Sequence, residues 1–329
     1  MQFKPICRIC ENNFPEKIFQ LHFKRPKVTL EQIKKIKESE LELYYKELRL
    51  NILFDYLLFN QKNEIMFEFF LCQKCGFIFF IPCPNQEDIL KKYQILEHFL
   101  LKPKESPYLD RRQKRISNLI RNESILKVPC KMLDYGGSKG DSLKPFIDEN
   151  YCFVLDYYPV KKYNEINYIK GDLNSIKESE KFDIIFLQHT LEHVYDPVNL
   201  VKGLVDHLEN NGYIYIEVPL GCFKEYKIMQ EPLTHINFFS EESLTYLLKK
   251  INLNIIYIST NFQYVIDQKD WCINCIAQKS NNKGKYVKIE STKKQMGYYY
   301  FFYQIFVFFE RIRLRINKLL KYQKIITNK

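Results

Sequence analysis

From about residue 130 to 280, short apolar runs alternate with amphipathic stretches. Residues 131–135, 152–156, 167–170, 182–187 and 213–218 are brief and apolar, as buried strands are. Two stretches between them, 142–150 and 197–209, have helical character. Another helix is expected from Ser240, with Glu241 and Glu242 in a first turn where carboxylates suit the helix dipole. Residues 255–259 and 271–278 follow it and would close the sheet. The alternation predicts an α/β fold, a doubly wound, seven-stranded parallel sheet over residues 128–280 with helices on both faces.

The pattern is different on either side. Residues 1–84 hold two cysteine pairs around a charged helical insert, in which Thr29 and Gln32 have the spacing of a capping box. Leu30, Ile33, Leu41, Tyr44 and Leu48 recur there at helical spacing. Residues 85–127 predict a helical connection, with Tyr108, Arg111, Arg112 and Lys114 ahead of Ile116, Leu119 and Ile120. Residues 281–329 predict a basic aromatic helical tail. Ile305, Phe308, Phe309, Ile312, Ile316, Leu319 and Leu320 line one stripe of it, while Arg311, Arg313, Arg315, Lys318 and Lys321 stand off that stripe. Such a stripe is expected to pack on its own domain or on a second subunit (a homodimer), with an anionic membrane surface as the alternative cover.

Composition changes this picture little. Lys and Arg outnumber Asp and Glu by 50 to 39, a net charge of +11 that invites nucleic acid or anionic lipid. Lys, Ile, Asn, Tyr and Phe are abundant together while Gly numbers only 10, so a coding bias accounts for the excess, and nucleic acid is not an expected partner. The N-terminus has no apolar signal core, and the longest apolar run, 298–309, has 12 residues interrupted by Gln304, short of the ~20 a spanning helix needs. A cytoplasmic protein is expected, with the inner face of a membrane as the tail's option. Its 10 cysteines then read as metal ligands and buried thiols.

Candidate chemistry gathers at the strand ends. The first strand delivers Asp134 into Tyr135-Gly136-Gly137-Ser138-Lys139-Gly140, a glycine-rich turn that lets backbone approach a ligand. Ser138 stands where a dinucleotide-binding loop needs its second glycine, which disfavours a nicotinamide-dependent oxidoreductase. Asp156 ends the next strand, 22 residues after Asp134, where an acid can hold ribose hydroxyls. Gly171-Asp172-Leu173 follows the third strand, and Gln188-His189-Thr190-Leu191-Glu192-His193 follows the fourth. In this order LDYGGSKG, VLDYYP, KGDL, FDIIFLQHTLEHVYDP and GYIYIEVP resemble the successive motifs of the class I S-adenosylmethionine (SAM)-dependent methyltransferases. The resemblance implies a Rossmann-like sheet and SAM as cofactor. It implies Asp134, Gly136, Gly137 and Gly140 around the methionine part, Asp156 at the ribose, Asp172 near adenine, and Gln188 or His189 on the other side.

Cys7-x-x-Cys10 and Cys72-x-x-Cys75 form two knuckle-like pairs, and four thiolates complete a closed tetrahedral zinc site. The 61 residues between the pairs exceed a compact ribbon, and the helical insert accounts for the excess. A zinc-binding segment ahead of such a domain is similar to the sugar C-methyltransferases, as are Pro84 and Tyr93 after the second pair. The zinc would be structural. Cys272-x-x-Cys275 lies in a predicted strand that would put its thiols on opposite faces, and Cys83, Cys130, Cys152 and Cys222 read as packed thiols.

Methyl transfer to a hydroxyl or carbon acid also needs proton removal, and His235, on the loop after the fifth strand, is the candidate base. The sugar C-methyltransferases have a Glu-His pair at this point, but here the Glu position is Thr234, which favours a hydroxyl acceptor. His189, Glu192 and His193 share one face of a predicted helical turn. They resemble the Glu-x-x-Glu-His segment that serves a divalent metal in ubiquinone-pathway O-methyltransferases, although helix-start hydrogen bonding is the expected role here. His22, His98 and His207 stand alone. The expected activity is SAM-dependent methylation of a sugar or glycan-precursor hydroxyl. Sugar C-methylation is the nearest alternative, and a zinc-ribbon nucleic-acid-binding protein the non-enzymatic one.

Overall fold

The structure, a computed structural model, describes residues 5–36, 44–56, 63–98, 108–123, 125, 128–221, 235–265, 269–279, 291–292 and 294–297. The tail stripe, Leu41, Cys222 and Thr234 lie outside them. In the N-terminal part β1 (Glu16–Lys24), α1 (Leu30–Ile33), α2 (Tyr45–Tyr56), β2 (Glu64–Leu71) and β3 (Ile78–Ile81) are followed by α3 (Gln86–His98) and α4 (Leu109–Asn122). Then come β4 (Lys131–Tyr135), β5 (Tyr151–Asp156), β6 (Ile166–Lys170), β7 (Phe182–Gln188), α5 (Pro197–Asp206) and β8 (Leu208–Pro219). The described elements close with β9 (Asn237–Phe238), α6 (Glu241–Lys250), β10 (Asn254–Tyr264) and β11 (Lys269–Gln278).

Seven strands form one sheet in the order β10-β11-β8-β7-β4-β5-β6. Strands β4 to β8 run parallel, and β11 is antiparallel to both its neighbours. The chain steps outward from β4 to β5 and β6, then returns across β4 to β7, so strand order reverses between β4 and β7. A crevice opens at the carboxyl ends of strands at such a reversal. Both predicted caps form. Thr29 and Gln32 close a capping box at α1, and Ser240 accepts from the Ser243 N–H at the start of α6.

The predicted helix over 142–150 is absent. Its residues form turns and a single 3-10 turn at Lys144–Phe146, with Leu143 bonding back to Gly140 (3.0 Å) and Phe146 to Leu143 (2.8 Å). Pro145 has no N–H for the i→i−4 ladder, which outweighs the amphipathic pattern. The turn after β7 is likewise 3-10, over Leu191–His193, and His189 lies outside it with φ of 51°.

Residues 1–84 contain strands that the pattern analysis did not assign. β1, β2 and β3 form an antiparallel sheet whose fourth strand, β9, comes from the loop after β8 and pairs Ile78 with Phe238 and Phe79 with Asn237. Phe69, Phe80 and Phe238 pack at this joint with ring centroids 5.2–6.3 Å apart. One apolar core runs from Cys7, Ile9 and Phe77 through Leu133 and Ile185 to Leu244 and Ile273. Among the described residues no helix is long and apolar enough to cross a membrane.

Phe238 is 5% exposed, so Phe238→Ala leaves a cavity at the joint between the sheets. A loss of about 3–5 kcal/mol is expected, read as a lowered urea midpoint with an unchanged slope.

Candidate cofactor and acceptor site

A cavity of about 250 Å³ opens at the strand reversal. Tyr135, Gly136, Leu155, Asp156, Tyr157, Tyr158 and Gly171 line its sheet side, while Gln86, Ile89 and Tyr93 of α3 wall the opposite side. His189, Thr190, His193 and Val194 close one end. Of the predicted cofactor residues, Gly136, Asp156 and His189 therefore line the cavity, and Asp134, Gly137, Gly140, Asp172 and Gln188 lie behind or beside it. Tyr93 is raised above the usual phenol range by burial and then by the charges of Glu192 and Asp156, so it stands between the two ends.

The turn after β4 is built for close approach. Gly136 has φ of 74°, and a Cβ there would meet Thr190 Oγ1 at 2.7 Å. A Cβ on Gly137 would strike the Asp134 carboxyl at 2.4 Å. A Cβ on Gly140, which has φ of 75°, would meet Ile166 at 2.7 Å and Val154 at 3.0 Å. Asp156 accepts the Ser138 N–H (3.0 Å) and the Tyr158 N–H (2.9 Å) on separate oxygens, each with a lone pair left for a ribose hydroxyl. Asp172 spends one oxygen capping the Leu173–Ser175 turn (3.0 Å to the Asn174 N–H). Asp134 is 2% exposed, and burial pushes its carboxyl from 3.8 up to about 7, against the pull of Arg112.

Beneath the cavity lies a charged network that the motif reading missed. Glu217 of β8 is fully buried, yet it accepts from Arg115 (2.6 Å) and Arg112 (3.4 Å) of α4 and contacts His189 Nε2 at 3.0 Å. Burial alone would raise Glu217, but Arg112, His189 and Arg115 hold it well below the usual carboxylate range. Burial would lower His189, and hydrogen bonds with Cys272, Glu192 and Glu217 override it, so the imidazole sits well above its ordinary value. Arg112 also donates to Gln188 Oε1 (3.0 Å), while Gln188 Nε2 and Arg112 Nε are buried without a hydrogen-bond partner. Orphaned donors beside Asp134 suit a ligand that carries both carboxylate and ammonium. A lone acid inside the otherwise apolar run YIYIEVP was the available signal.

At the far end Glu192, 2% exposed, lies 3.4 Å from His189 Nδ1, 3.6 Å from His193 Nε2 and 4.0 Å from His235 Nε2. His235 reaches this end without lining the cavity, its ring centroid 4.9 Å from that of His193. His22 pairs with Glu64 at the surface, and His207 donates to the Glu180 carbonyl, both outside the cavity lining.

The two cysteine pairs converge. Cys7 Sγ lies 3.6 Å from Cys75 Sγ and Cys10 Sγ lies 3.3 Å from Cys72 Sγ, and all four thiols are buried. The loops match bond for bond. Glu11 N–H reaches Cys7 C=O and Gly76 N–H reaches Cys72 C=O, both at 2.8 Å, and the same two residues have φ of 62° and 71°. Thiolates at ~2.3 Å from a tetrahedral ion are about 3.8 Å apart, so this set fits zinc with little movement. Between the first pair, Arg8 donates to the carbonyls of Ile236 (2.8 Å) and Tyr195 (3.4 Å). Cys272 and Cys275 both lie in β11. Cys275 joins the core while Cys272 bonds His189, as strand alternation predicts.

Removing the acid alone should cost more than removing it together with Arg115. Glu217→Ala is expected to destabilise by about 3–5 kcal/mol, and Glu217→Leu combined with Arg115→Met by less. Denaturant melts of the two variants check this order.

Residues 108–258 match the family model described as Methyltransferase domain. No curated protein matches the chain. Among solved structures, a SAM-dependent methyltransferase from Methanosarcina mazei is 18% identical, with a TM-score of 0.40 over 50% of this chain and 98% of its own. The N-methyltransferase NodS from Bradyrhizobium japonicum, solved with S-adenosylhomocysteine, is 16% identical, with a TM-score of 0.43 over 56% of this chain and 97% of its own. The strand reversal with its glycine turn and rim acids falls within the stretch that matches the Methyltransferase domain model.

Proposed function

We propose that the chain methylates a hydroxyl of a sugar, a glycan precursor or a related polar small molecule. The observation that carries this reading is the buried Glu192 with His189, His193 and His235 around it, at the end of the cavity away from Asp156. Bound in the cavity, SAM supplies an electrophilic methyl group on its sulfonium. Asp134 and the orphaned Gln188 amide would hold the amino-acid end, and Asp156 the ribose. Tyr93 of α3 excludes water from the opposite wall. An acceptor hydroxyl held at the histidine end must align with the methyl and release its proton there, and His235 belongs to the group that takes it.

C-methylation is the second reading, and one observation favours it. The carboxylate that the sequence lacks at position 234 is delivered beside His235 by Glu192, from the turn after β7. The four cysteines are proposed to bind one structural zinc ion, which their spacing and twin loops support.

Four outcomes test this. Asp134→Asn should abolish binding of S-adenosylhomocysteine in calorimetry while the fold persists. The wild-type carboxyl stays protonated up to about pH 7 when folded but ionises near 3.8 when unfolded. Unliganded stability should therefore fall as pH rises from 4 to 7, by on the order of 2–4 kcal/mol, and Asp134→Asn should remove that slope. His235→Ala should leave cofactor affinity unchanged and lower turnover by about 10²-fold or more in an assay of labelled SAM with nucleotide sugars. Metal analysis should find zinc in the wild type and less in Cys72→Ser, with a lowered melting temperature.

A further inference from the structure

Arg8 stands between Cys7 and Cys10, and its side chain reaches out of the knuckle to three separate segments. Its Nη1 lies 3.2 Å from Cys83 Sγ, between β3 and α3, and donates to the Tyr195 carbonyl (3.4 Å), just past the turn after β7. Its Nη2 donates to the Ile236 carbonyl (2.8 Å) in the loop before β9. These three segments frame the acceptor end. The helix α3 carries Gln86, Ile89 and Tyr93 of the cavity wall, His193 and Val194 immediately precede Tyr195, and Ile236 follows His235. Arg8 itself is not among the cavity's lining residues.

The backbone on either side of Arg8 is held in turn. The Cys7 N–H donates to the Asn12 carbonyl (3.0 Å), the Glu11 N–H to the Cys7 carbonyl (2.8 Å), and Lys250 Nζ, at the end of α6, to the Ile9 carbonyl (2.8 Å). At the tip, the two gripped loops are also bonded to each other. The Ile236 N–H donates to the Glu192 carbonyl (2.8 Å), and Asn237 Nδ2 to the carbonyls of Leu191 (2.8 Å) and Val194 (2.6 Å). The ring centroids of His193 and His235 are 4.9 Å apart across this joint. A guanidinium presents its donors in a rigid planar fork, so one side chain can hold two carbonyls at a set separation, which the single nitrogen of a lysine does not fix.

We propose that Arg8 is a positioning residue for the acceptor end, holding the imidazoles of His193 and His235 in register by clamping the main chain at Tyr195 and Ile236. What the imidazoles do there rests on the methyl-transfer reading, and their placement does not. An acceptor must meet the methyl carbon in line, and a misplacement of about 1 Å costs on the order of a hundredfold in rate. The clamp therefore acts on turnover and not on cofactor affinity.

The test compares wild type, Arg8→Lys and Arg8→Met as full-length, zinc-loaded proteins without ligand. Nuclear Overhauser contacts between the two histidine rings, assigned with His193→Ala and His235→Ala, report the register, and amide exchange at Ile236 reports the clamp. Wild type should show the ring contact and a protected Ile236 amide. Both Arg8 variants should lose the ring contact and exchange that amide about tenfold or more faster, with zinc content and near-UV circular dichroism unchanged. Ring contact and protection retained in Arg8→Met, or restored in full by Arg8→Lys, overturns the clamp. Loss of zinc or of the fold in both variants overturns it as well, because Arg8 would then serve the knuckle's own folding. In a separate assay with labelled SAM and nucleotide sugars, turnover should fall about tenfold or more in both variants at unchanged S-adenosylhomocysteine affinity. Loss of the ring contact in the variants, with no S-adenosylhomocysteine bound by the wild type, upholds the clamp and removes the methyl-transfer reading, so the two failures are distinct.

Discussion

A carboxylate with no access to water needs positive charge delivered to it, and Glu217 obtains that charge from a helix and from the rim of a neighbouring strand. Arg112 and Arg115 come from α4, which precedes the sheet in sequence, and His189 comes from the end of β7. The requirement sets how α4 lies across the sheet, because two guanidinium groups one helical turn apart must both reach one buried acid. It also orients the imidazole that closes the cavity. Arg112 in turn holds Gln188 and pulls on Asp134. The floor of the cofactor cavity is thus organised from below, through charge, before any ligand arrives.

The second organising element is the short segment 235–239. It supplies His235 to the acceptor end, pairs as β9 with the N-terminal sheet and packs Phe238 and Phe239 into two apolar clusters. One segment therefore pairs with the N-terminal sheet and packs into both apolar clusters. The wall opposite the strand ends, α3, is carried by the same N-terminal part. The cavity is thus lined by strand ends of the seven-stranded sheet on one side and by α3 on the other.

How much of this was legible follows from the range of the interactions. Strand ends that deliver Asp134, Asp156 and Gly171 are local in sequence, and apolar runs between polar rims reveal them. The caps at Thr29 and Ser240 are equally local. The cysteine pairs announce their chemistry by spacing alone, although 61 residues separate them. By contrast, the neighbours of Glu217 lie 102–105 residues away on α4, and no periodicity reports such a distance. His235 was readable as a candidate base but not as a companion of Glu192, since bonds of Ile236 and Asn237 to the turn after β7 bring them together. The missing helix at 142–150 shows the reverse case, where an amphipathic pattern was visible and Pro145 outweighed it. Strands β1 to β3 were not read, since β2 is apolar on both faces toward its end and so lacks the alternation that marks a half-buried strand.

Arg8 occupies the span between the first two thiols, and its guanidinium grips the main chain at Tyr195 and Ile236. The knuckle is thereby mechanically geared to the histidine end of the cavity. The four sulfurs and the histidine end of the cavity are thus joined through one side chain.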